Sequence, residues 1–109
     1  MDIYHIFADH KENIDSKYFV SKMRIFLDQM VSMGKIEKYR ITRMKLGFRS
    51  MDLPEFHIMM EFQNMQQLDE AMTAVIEDEK NIEESHVGFN SLVDPETIQH
   101  FLYRDYPDP

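Results

Sequence analysis

Apolar residues alternate with more polar ones between Glu55 and Gln63. Because successive side chains of a β-strand point to opposite faces, this pattern predicts a strand with one wholly apolar face. That face comprises Phe56, Ile58, Met60 and Phe62. The other face is semi-polar and comprises His57, Met59 and Glu61. One face of this strand therefore belongs to the core, and the other needs a different explanation.

Two longer segments repeat apolar residues every three or four positions, which is the period of an amphipathic helix. The first helix is predicted to begin at Asp15 or Ser16 and to end near Met33, with Gly34 as its left-handed C-cap. The second is predicted to begin after Asn64, which would cap it. The apolar stripes comprise Phe19, Met23, Phe26, Leu27 and Met30 in the first helix, and Leu68, Met72, Val75 and Ile76 in the second.

Residues 1–8, 36–46 and 85–93 are predicted as further strands. Asp94 and Pro95 then predict the start of a short C-terminal helix, since Asp is a good N-cap and Pro is favoured at the first helical position. The apolar stripe of that helix would comprise Ile98, Phe101 and Leu102. Residues 47–54 are expected to form a flap, either a lid or a plain connection.

The element order predicts an α+β, ferredoxin-like βαββαβ fold with a four-stranded antiparallel sheet, plus the short C-terminal helix and a tail. Strands one and three would be central. The helices would cover Tyr4, Ile6, Tyr39, Ile41, Phe56, Ile58, Met60, Phe62, Val87 and Phe89. The opposite face would show Ile3, His5, Phe7, Arg40, Thr42, His57, Met59, Glu61, His86, Asn90 and Leu92. Two such faces meeting in a homodimer, a dimeric α/β barrel, would bury this mixed surface and enclose a semi-polar cavity.

A length of 109 residues predicts one domain that covers residues 1–109. The chain has no cysteine, which excludes disulfides, thiolate catalysis and cysteine-based metal sites. The N-terminus shows no signal-peptide pattern, and no apolar run approaches the roughly 20 residues of a membrane span. We therefore expect a soluble, cytoplasmic protein without a membrane partner.

The net charge of −8 conceals an uneven distribution. Residues 1–50 carry 10 basic and 6 acidic side chains, whereas residues 51–109 carry 2 basic and 14 acidic ones. The basic side chains concentrate between Lys35 and Arg49, where a charged edge strand would discourage aggregation. The alternatives are an anionic-ligand site and a docking surface for the acidic second helix of a partner subunit. An acidic chain of this kind predicts no nucleic-acid partner.

Four stretches of the sequence carry a resemblance to a known family. They are Tyr39-Arg-Ile-Thr-Arg43, Glu55-Phe-His-Ile-Met59, Phe89-Asn-Ser-Leu-Val93 and Leu102-Tyr-Arg-Asp-Tyr-Pro-Asp108. Through them the chain resembles, over essentially its whole length, an uncharacterised bacterial family of dimeric α/β-barrel proteins. The resemblance implies a ferredoxin-like homodimer and no established reaction or catalytic residues. Because the wider superfamily includes small monooxygenases, isomerases, haem-degrading proteins and stress-responsive barrels, the fold alone selects no function.

His5, His57 and His86 are predicted to lie on neighbouring strands of one face, with Glu61 beyond His57. Three imidazoles and a carboxylate are able to hold Zn²⁺ or Fe²⁺, or to act as general acid and base. These histidines are therefore the candidate catalytic residues and metal ligands. The alternative, which we favour over a metal, is that hydrogen bonds at the dimer interface satisfy them. No cofactor is predicted.

Arg40 and Asn90 are the second candidate pair, since Arg presents a fork to a carboxylate or phosphate and Asn both donates and accepts. The alternative for Arg40 is an intersubunit salt bridge to Glu61 or another acid of the partner. The complete predicted ligand-binding set comprises Arg40, Thr42, His57, Glu61, His86 and Asn90.

The sequence leads to three functional hypotheses. The first is a homodimer, formed by the open sheet face and the C-terminal tail, that binds a small polar or anionic organic ligand between the sheets. The second is a cofactor-independent monooxygenase or isomerase that uses a histidine as acid or base and Arg40 to hold an oxyanion. The third is a structural or regulatory dimer with a filled interface. A binder or enzyme needs a cavity with convergent polar groups, whereas a structural dimer would have those groups paired.

Overall fold

The computed structural model describes residues 1–47 and 52–107. The elements in chain order are β1 (Asp2–Ala8), α1 (Ser16–Ser32), β2 (Lys38–Arg43), β3 (Phe56–Phe62), α2 (Met65–Ile76), a 3₁₀ turn (Glu79–Asn81), α3 (Ile82–Asn90) and β4 (Gln99–Arg104). The strands form one antiparallel sheet in the order β2-β3-β1-β4. This confirms the predicted α+β class, the central positions of β1 and β3, and the edge position of β2.

The first helix follows its predicted pattern. Its buried residues are the five of the predicted stripe, Phe19, Met23, Phe26, Leu27 and Met30. Gly34 has a φ of 71°, and the Lys35 amide donates to the carbonyl of Met30 at 2.9 Å. Gly34 therefore is the predicted left-handed residue that ends the helix, because a positive φ strains a residue with a Cβ atom.

The second helix is capped as predicted, but the face that it buries differs from the predicted apolar stripe. The Asn64 side chain accepts a hydrogen bond from the Gln67 amide at 2.9 Å. The buried residues are Leu68, Ala71 and Ala74. Met72 and Ile76, predicted in the apolar stripe, are exposed instead. The small alanines therefore face the protein interior, and the longer side chains flank them.

The strand predicted for residues 85–93 is wrong, because this segment lies mostly in α3. Ile82 and Phe89 of α3 are buried, and their spacing of seven positions, about two helical turns, places them on one side of the helix. Val87, predicted on the core face of a strand, is 50% exposed. The spacing of these buried residues matches the observed helix, whereas the alternation of their neighbours does not.

The short helix predicted after Pro95 is also wrong. The Asp94 carboxylate accepts from the Glu96 amide at 3.0 Å, and the Asp94 carbonyl accepts from the Thr97 amide at 3.1 Å, so this segment is a turn. It leads into β4, which pairs with β1. Phe101 and Leu102 therefore point to opposite faces of the sheet instead of sharing a helix face.

The core lies between the sheet and the three helices. It includes the apolar face predicted for β3, and Phe89 joins it from α3. The opposite face of the sheet, hereafter the open face, has no helix against it among residues 1–47 and 52–107. The predicted flap covers residues 47–54, and its residues 48–51 lie outside the described part of the chain.

Candidate ligand-binding site

The open face presents three side chains from each strand. Because directly paired residues of neighbouring strands share a face, the strand registers define three rows. The first row is Lys38, Glu61, Ile3 and Tyr103; the second is Arg40, Met59, His5 and Phe101; the third is Thr42, His57, Phe7 and Gln99. Five of the predicted site residues therefore share this face, namely His5, Arg40, Thr42, His57 and Glu61.

His5 and His57 are in direct contact. His5 Nδ1 lies 2.8 Å from His57 Nε2. Phe7 stacks on His57 with ring centroids 4.2 Å apart, and Tyr103 packs edge-on against His5 at 4.9 Å. A hydrogen bond between two imidazoles needs one donor and one acceptor, so two neutral rings satisfy it.

Burial lowers the pKa of both His5 and His57 below the ordinary value of 6.5. Electrostatic repulsion from His5 lowers the pKa of His57 further. Both rings are therefore neutral at neutral pH. A neutral imidazole is able to accept a proton from a bound molecule, and it also suits an interface from which water is excluded.

The β2 side of the open face is basic, and part of its charge is neutralised. Lys38 Nζ lies 3.7 Å from Glu61 Oε2, and the Thr42 hydroxyl donates to the His57 carbonyl at 3.3 Å. Arg40 is exposed and has no ion-pair partner among residues 1–47 and 52–107. Within one chain Glu61 therefore pairs with Lys38 and leaves Arg40 accessible to an anion.

The predicted three-histidine site is wrong, because His86 and Asn90 belong to α3 on the other side of the sheet. Leu92, predicted on the open face, packs against the core. In the described part of the chain, no three histidine, aspartate or glutamate side chains come together in a group suited to a metal ion. These errors follow directly from the strand predicted for residues 85–93.

The sequence prediction also missed the contribution of β4 to the open face. Phe101 is 45% exposed and Tyr103 is 62% exposed in the single chain. A signal for them was present, since Gln99, Phe101 and Tyr103 alternate with His100, Leu102 and Arg104 at the period of a strand. Both aromatic rings enlarge the apolar part of this face.

A cavity of about 260 Å³ lies between the sheet and the helices. We call it the helix–sheet cavity. Tyr4 and His100 both line this cavity and are hydrogen-bonded to each other. The Tyr4 hydroxyl lies 2.8 Å from His100 Nδ1. Burial raises the pKa of Tyr4, so this hydroxyl keeps its proton and donates it. The full lining comprises Tyr4, Ile6, Phe26, Met30, Met60, Phe62, Ala71, Met72, Val75, Ile76, His86, Phe89, Asn90, Ile98 and His100.

His86 of α3 also lines this cavity. Its Nδ1 atom is buried and has no hydrogen-bond partner among residues 1–47 and 52–107. The carboxylate of Glu83 lies 3.6 Å from it, which is beyond hydrogen-bond distance. Strand-based reasoning places His86 on the wrong side of the sheet and so could not identify this cavity.

Comparison with known proteins gives the family. The chain matches a family of unknown function, DUF6614, over residues 1–109. It belongs to the DUF6614 family. The description of DUF6614 agrees with the uncharacterised family that the resemblance implies, while a bacterial origin stays a prediction. Among curated proteins, nothing matches this DUF6614 chain.

Solved structures similar to the DUF6614 chain share its fold at low identity. The Arabidopsis thaliana protein At3g17210 gives a TM-score of 0.77 at 9% identity, with 100% of this chain and 99% of that one covered. A dimeric ferredoxin-like protein of unknown function from Jannaschia sp. CCS1 gives 0.69 at 9% identity, covering 96% and 100%. A dimeric protein of unknown function with a ferredoxin-like fold from Bacteroides fragilis NCTC 9343 gives 0.56 at 11% identity, covering 95% and 96%. These similarities confirm the ferredoxin-like fold of the DUF6614 chain.

The described helices of the DUF6614 chain are too short or too polar to cross a membrane. The ligand, the absence of a cofactor and the cytoplasmic location stay predictions.

Proposed function

We propose that the protein is a homodimer whose open faces meet, and that it binds a small polar or anionic organic molecule between the two sheets. Similar structures described as dimeric proteins support the homodimer. Arg40 carries the ligand proposal, because it is an exposed cation without an ion-pair partner in the described ranges. It stands beside Met59 on a face that mixes polar and apolar side chains.

The apolar side chains of the open face favour association. Phe101 and Tyr103 extend the patch formed by Ile3, Phe7 and Met59. Monomeric soluble proteins rarely expose a large contiguous apolar patch, and burial contributes about 25 cal/mol per Å² of apolar surface. In a two-fold symmetric dimer each contact occurs twice, so one self-complementary face is sufficient to form the interface.

The polar groups near Arg40 suit an anion or a carbonyl oxygen. A guanidinium group donates two parallel hydrogen bonds to a carboxylate or phosphate. Thr42 and His57 lie directly opposite each other on the neighbouring strands, one row from Arg40. A second sheet placed over them would exclude water and strengthen the attraction between Arg40 and an anion.

The dimer is tested by sedimentation of Phe101→Glu. A charge at this position, in the middle row of the open face, should yield a monomer, because burying it without a partner is unfavourable. Ile25→Glu is the matched control, since Ile25 is exposed on α1, in the helix layer. We expect this control and the original chain to sediment as dimers. A monomeric original chain would refute the proposed assembly.

The ligand is tested with benzoate and benzamide, which differ in charge and little in shape. Calorimetric titration should show tighter binding of benzoate, and Arg40→Gln should remove this preference. Arg43→Gln is the control, because Arg43 lies on the same strand, faces the helix layer and pairs with Glu55. Equal binding of both compounds by the original chain would contradict an anion site at Arg40.

The second candidate is the structural dimer with a filled interface. The mutual hydrogen bond of His5 and His57, and the stacking of Phe7 on His57, favour it. It predicts a dimer that binds neither benzoate nor benzamide and that dissociates in His57→Ala. The ligand-binding dimer should instead survive His57→Ala and lose affinity. In the enzyme hypothesis, His5 and His57 remain the acid-base candidates, whereas His86 is excluded because it lies on the other side of the sheet.

A further inference from the structure

We propose that the groove between α1 and the outer edge of β2 binds an extended acidic peptide segment of another protein, which adds to the sheet as a fifth strand beside β2. This α1–β2 groove has a volume of about 500 Å³. It lies on the helix side of the sheet, so the proposal does not depend on the anion proposed to bind near Arg40. The lining of the groove comprises Ser16, Lys17, Val20, Ser21, Arg24, Ile41, Thr42, Arg43 and Phe56.

The outer edge of β2 carries backbone groups that a further strand would satisfy. In the described part of the chain, no strand pairs with this edge. The Met44 amide donates to the Glu55 carbonyl at 2.7 Å. Because hydrogen-bonded pairs alternate along an antiparallel ladder, Thr42 also bonds inward to β3, whereas Ile41 and Arg43 direct their N–H and C=O groups outward. A peptide strand beside Ile41 and Arg43 would therefore gain main-chain hydrogen bonds.

The charges of the groove favour an acidic peptide. Lys17 and Arg24 line the groove from α1, and neither has an ion-pair partner among the residues that the structure describes. Arg24 donates a hydrogen bond to the Tyr39 hydroxyl at 3.3 Å. No aspartate or glutamate of the described ranges lines this groove, although the whole protein has a net charge of −8. Carboxylates opposite both cations would be attracted, whereas a basic segment would be repelled.

The spacing of the lining residues predicts the sequence pattern of the peptide. Lys17 and Arg24 are seven positions apart on α1, which separates them by about 10 Å along the helix axis. Between them, Val20 joins Ile41 and Phe56 in an apolar floor. Residues on one face of a strand recur about every 6.8 Å. An acidic residue, an apolar residue and a second acidic residue at alternate positions would therefore match the two cations and the floor, since both cationic side chains are long and flexible.

A second copy of this chain is a poorer occupant of the same edge. Two β2 strands paired about a two-fold axis would bring the cations of both grooves together, which is unfavourable. The other edge strand, β4, contains no acidic residue. Charges that only protect an edge from aggregation lie on the strand itself, whereas Lys17 and Arg24 belong to α1. The two helix charges thus favour a role in binding an acidic strand.

The test compares two end-blocked peptides, Thr-Asp-Thr-Ile-Thr-Asp-Thr and Thr-Asn-Thr-Ile-Thr-Asn-Thr, which differ in charge and little in shape. Calorimetric titration of the full-length protein at low salt should show about tenfold tighter binding of the acidic peptide, the effect expected from two partly exposed ion pairs. Lys17→Gln should reduce this preference to about threefold, because one pair is lost. Lys22→Gln is the matched control and should leave the preference unchanged, since Lys22 is on the same helix but lines a different groove.

Amide hydrogen exchange tests the added strand without a variant. The amides of Ile41 and Arg43 should exchange rapidly in the free protein and at least tenfold more slowly when the acidic peptide is saturating. The Thr42 amide should exchange slowly in both states, because it already bonds to β3.

Four outcomes would overturn the proposal: no binding of the acidic peptide, equal binding of both peptides, a preference unchanged in Lys17→Gln, or exchange at Ile41 and Arg43 that the peptide does not slow. Slow exchange of these two amides before any peptide is added would show that a second copy already covers the edge, and would overturn it as well.

Discussion

His5 Nδ1 and His57 Nε2 lie 2.8 Å apart on the open face, and burial lowers the pKa of both rings below 6.5. The folded protein therefore resists protonation of this pair, whereas the unfolded chain binds protons at the ordinary histidine pKa. Protons thus favour the unfolded state as the pH falls. The stability associated with the neutral pair is present above a pH of about 6.5 and is lost as the pH falls through the folded pKa values.

We expect the free energy of unfolding to decrease as the pH is lowered from about 7.5 to about 5.5, a window that avoids most carboxylate titration. The double variant His5→Phe, His57→Phe should show a weaker pH dependence, because both titrating rings are gone. Urea unfolding at a fixed protein concentration measures this, since dimer stability depends on concentration. Identical slopes for the two proteins would contradict the assignment.

NMR titration of the imidazole protons gives a direct check of the same pair. Both His5 and His57 should titrate with midpoints below 6.5. In His5→Phe, the midpoint of His57 should rise toward the ordinary value, since electrostatic repulsion from His5 contributes to its lowering. A midpoint at or above 6.5 in the original chain would be inconsistent with the burial of either ring.

Asp2 and Arg104 connect β1 to β4 in a second pH-dependent contact. Asp2 is 3% exposed, and Arg104 Nε donates to its Oδ1 at 2.6 Å. This hydrogen bond lowers the pKa of Asp2 below 3.8. Because the folded pKa is depressed, the carboxylate contributes stability above a pH of about 3.8 that is lost as the pH falls through the folded value.

Asp2→Asn should therefore lower the thermal midpoint at neutral pH and reduce the loss of stability below a pH of about 4. Asp105→Asn is the control, because Asp105 is largely exposed and its carboxylate lies 3.4 Å from the N-terminal amine. Exposed ion pairs contribute little, so this control should change the midpoint only slightly. Equal effects in the two variants, measured by calorimetry, would show that the Asp2–Arg104 contact has no special role.

The sequence predicts α1 and β3 well because their apolar periods are clear, and it places β1 correctly as a central strand because both of its faces carry apolar residues. The faces of β3 follow from alternation, and both His57 and His5 lie on the predicted face. His86 is misplaced because residues 85–93 show enough alternation to fit a strand, although Ile82 and Phe89 already have helical spacing. A residue is assigned to the candidate site incorrectly wherever its helix or strand is predicted incorrectly.

The boundary between α2 and α3 explains why this misassignment is easy to make. Asp78, Lys80 and Asn81 have positive φ values of 55°, 52° and 63°. Glycine usually occupies such positions, and none is present in this turn. The turn is stabilised by tertiary contacts, including a hydrogen bond from the Gln29 side chain to the Lys80 carbonyl at 3.2 Å. Local sequence patterns do not contain that information.

A pair of alanine substitutions distinguishes the helix from the predicted strand in this segment. Ile82 is fully buried, so Ile82→Ala should lower the free energy of unfolding by about 2–5 kcal/mol through lost burial and a new cavity. Val87 is half exposed on α3, so Val87→Ala should change it by less than about 0.5 kcal/mol. Chemical denaturation measures both. A large loss in Val87→Ala would support the strand, in which Val87 faces the core.

Replacing Gly34 or Gly88 by alanine should change the stability of the protein in opposite directions. Neither has an atom within 4 Å of the position that a Cβ would occupy, so sterics with neighbours do not decide the outcome. Gly34 has a φ of 71°, and alanine in the left-handed region costs roughly 1–2 kcal/mol. Gly88 lies inside α3, where alanine is favoured over glycine by about 0.5–1 kcal/mol. We therefore expect Gly34→Ala to destabilise the protein and Gly88→Ala to stabilise it in urea unfolding. A destabilising Gly88→Ala would argue against a helix at residues 82–90, since it is the helical backbone that makes alanine preferable there.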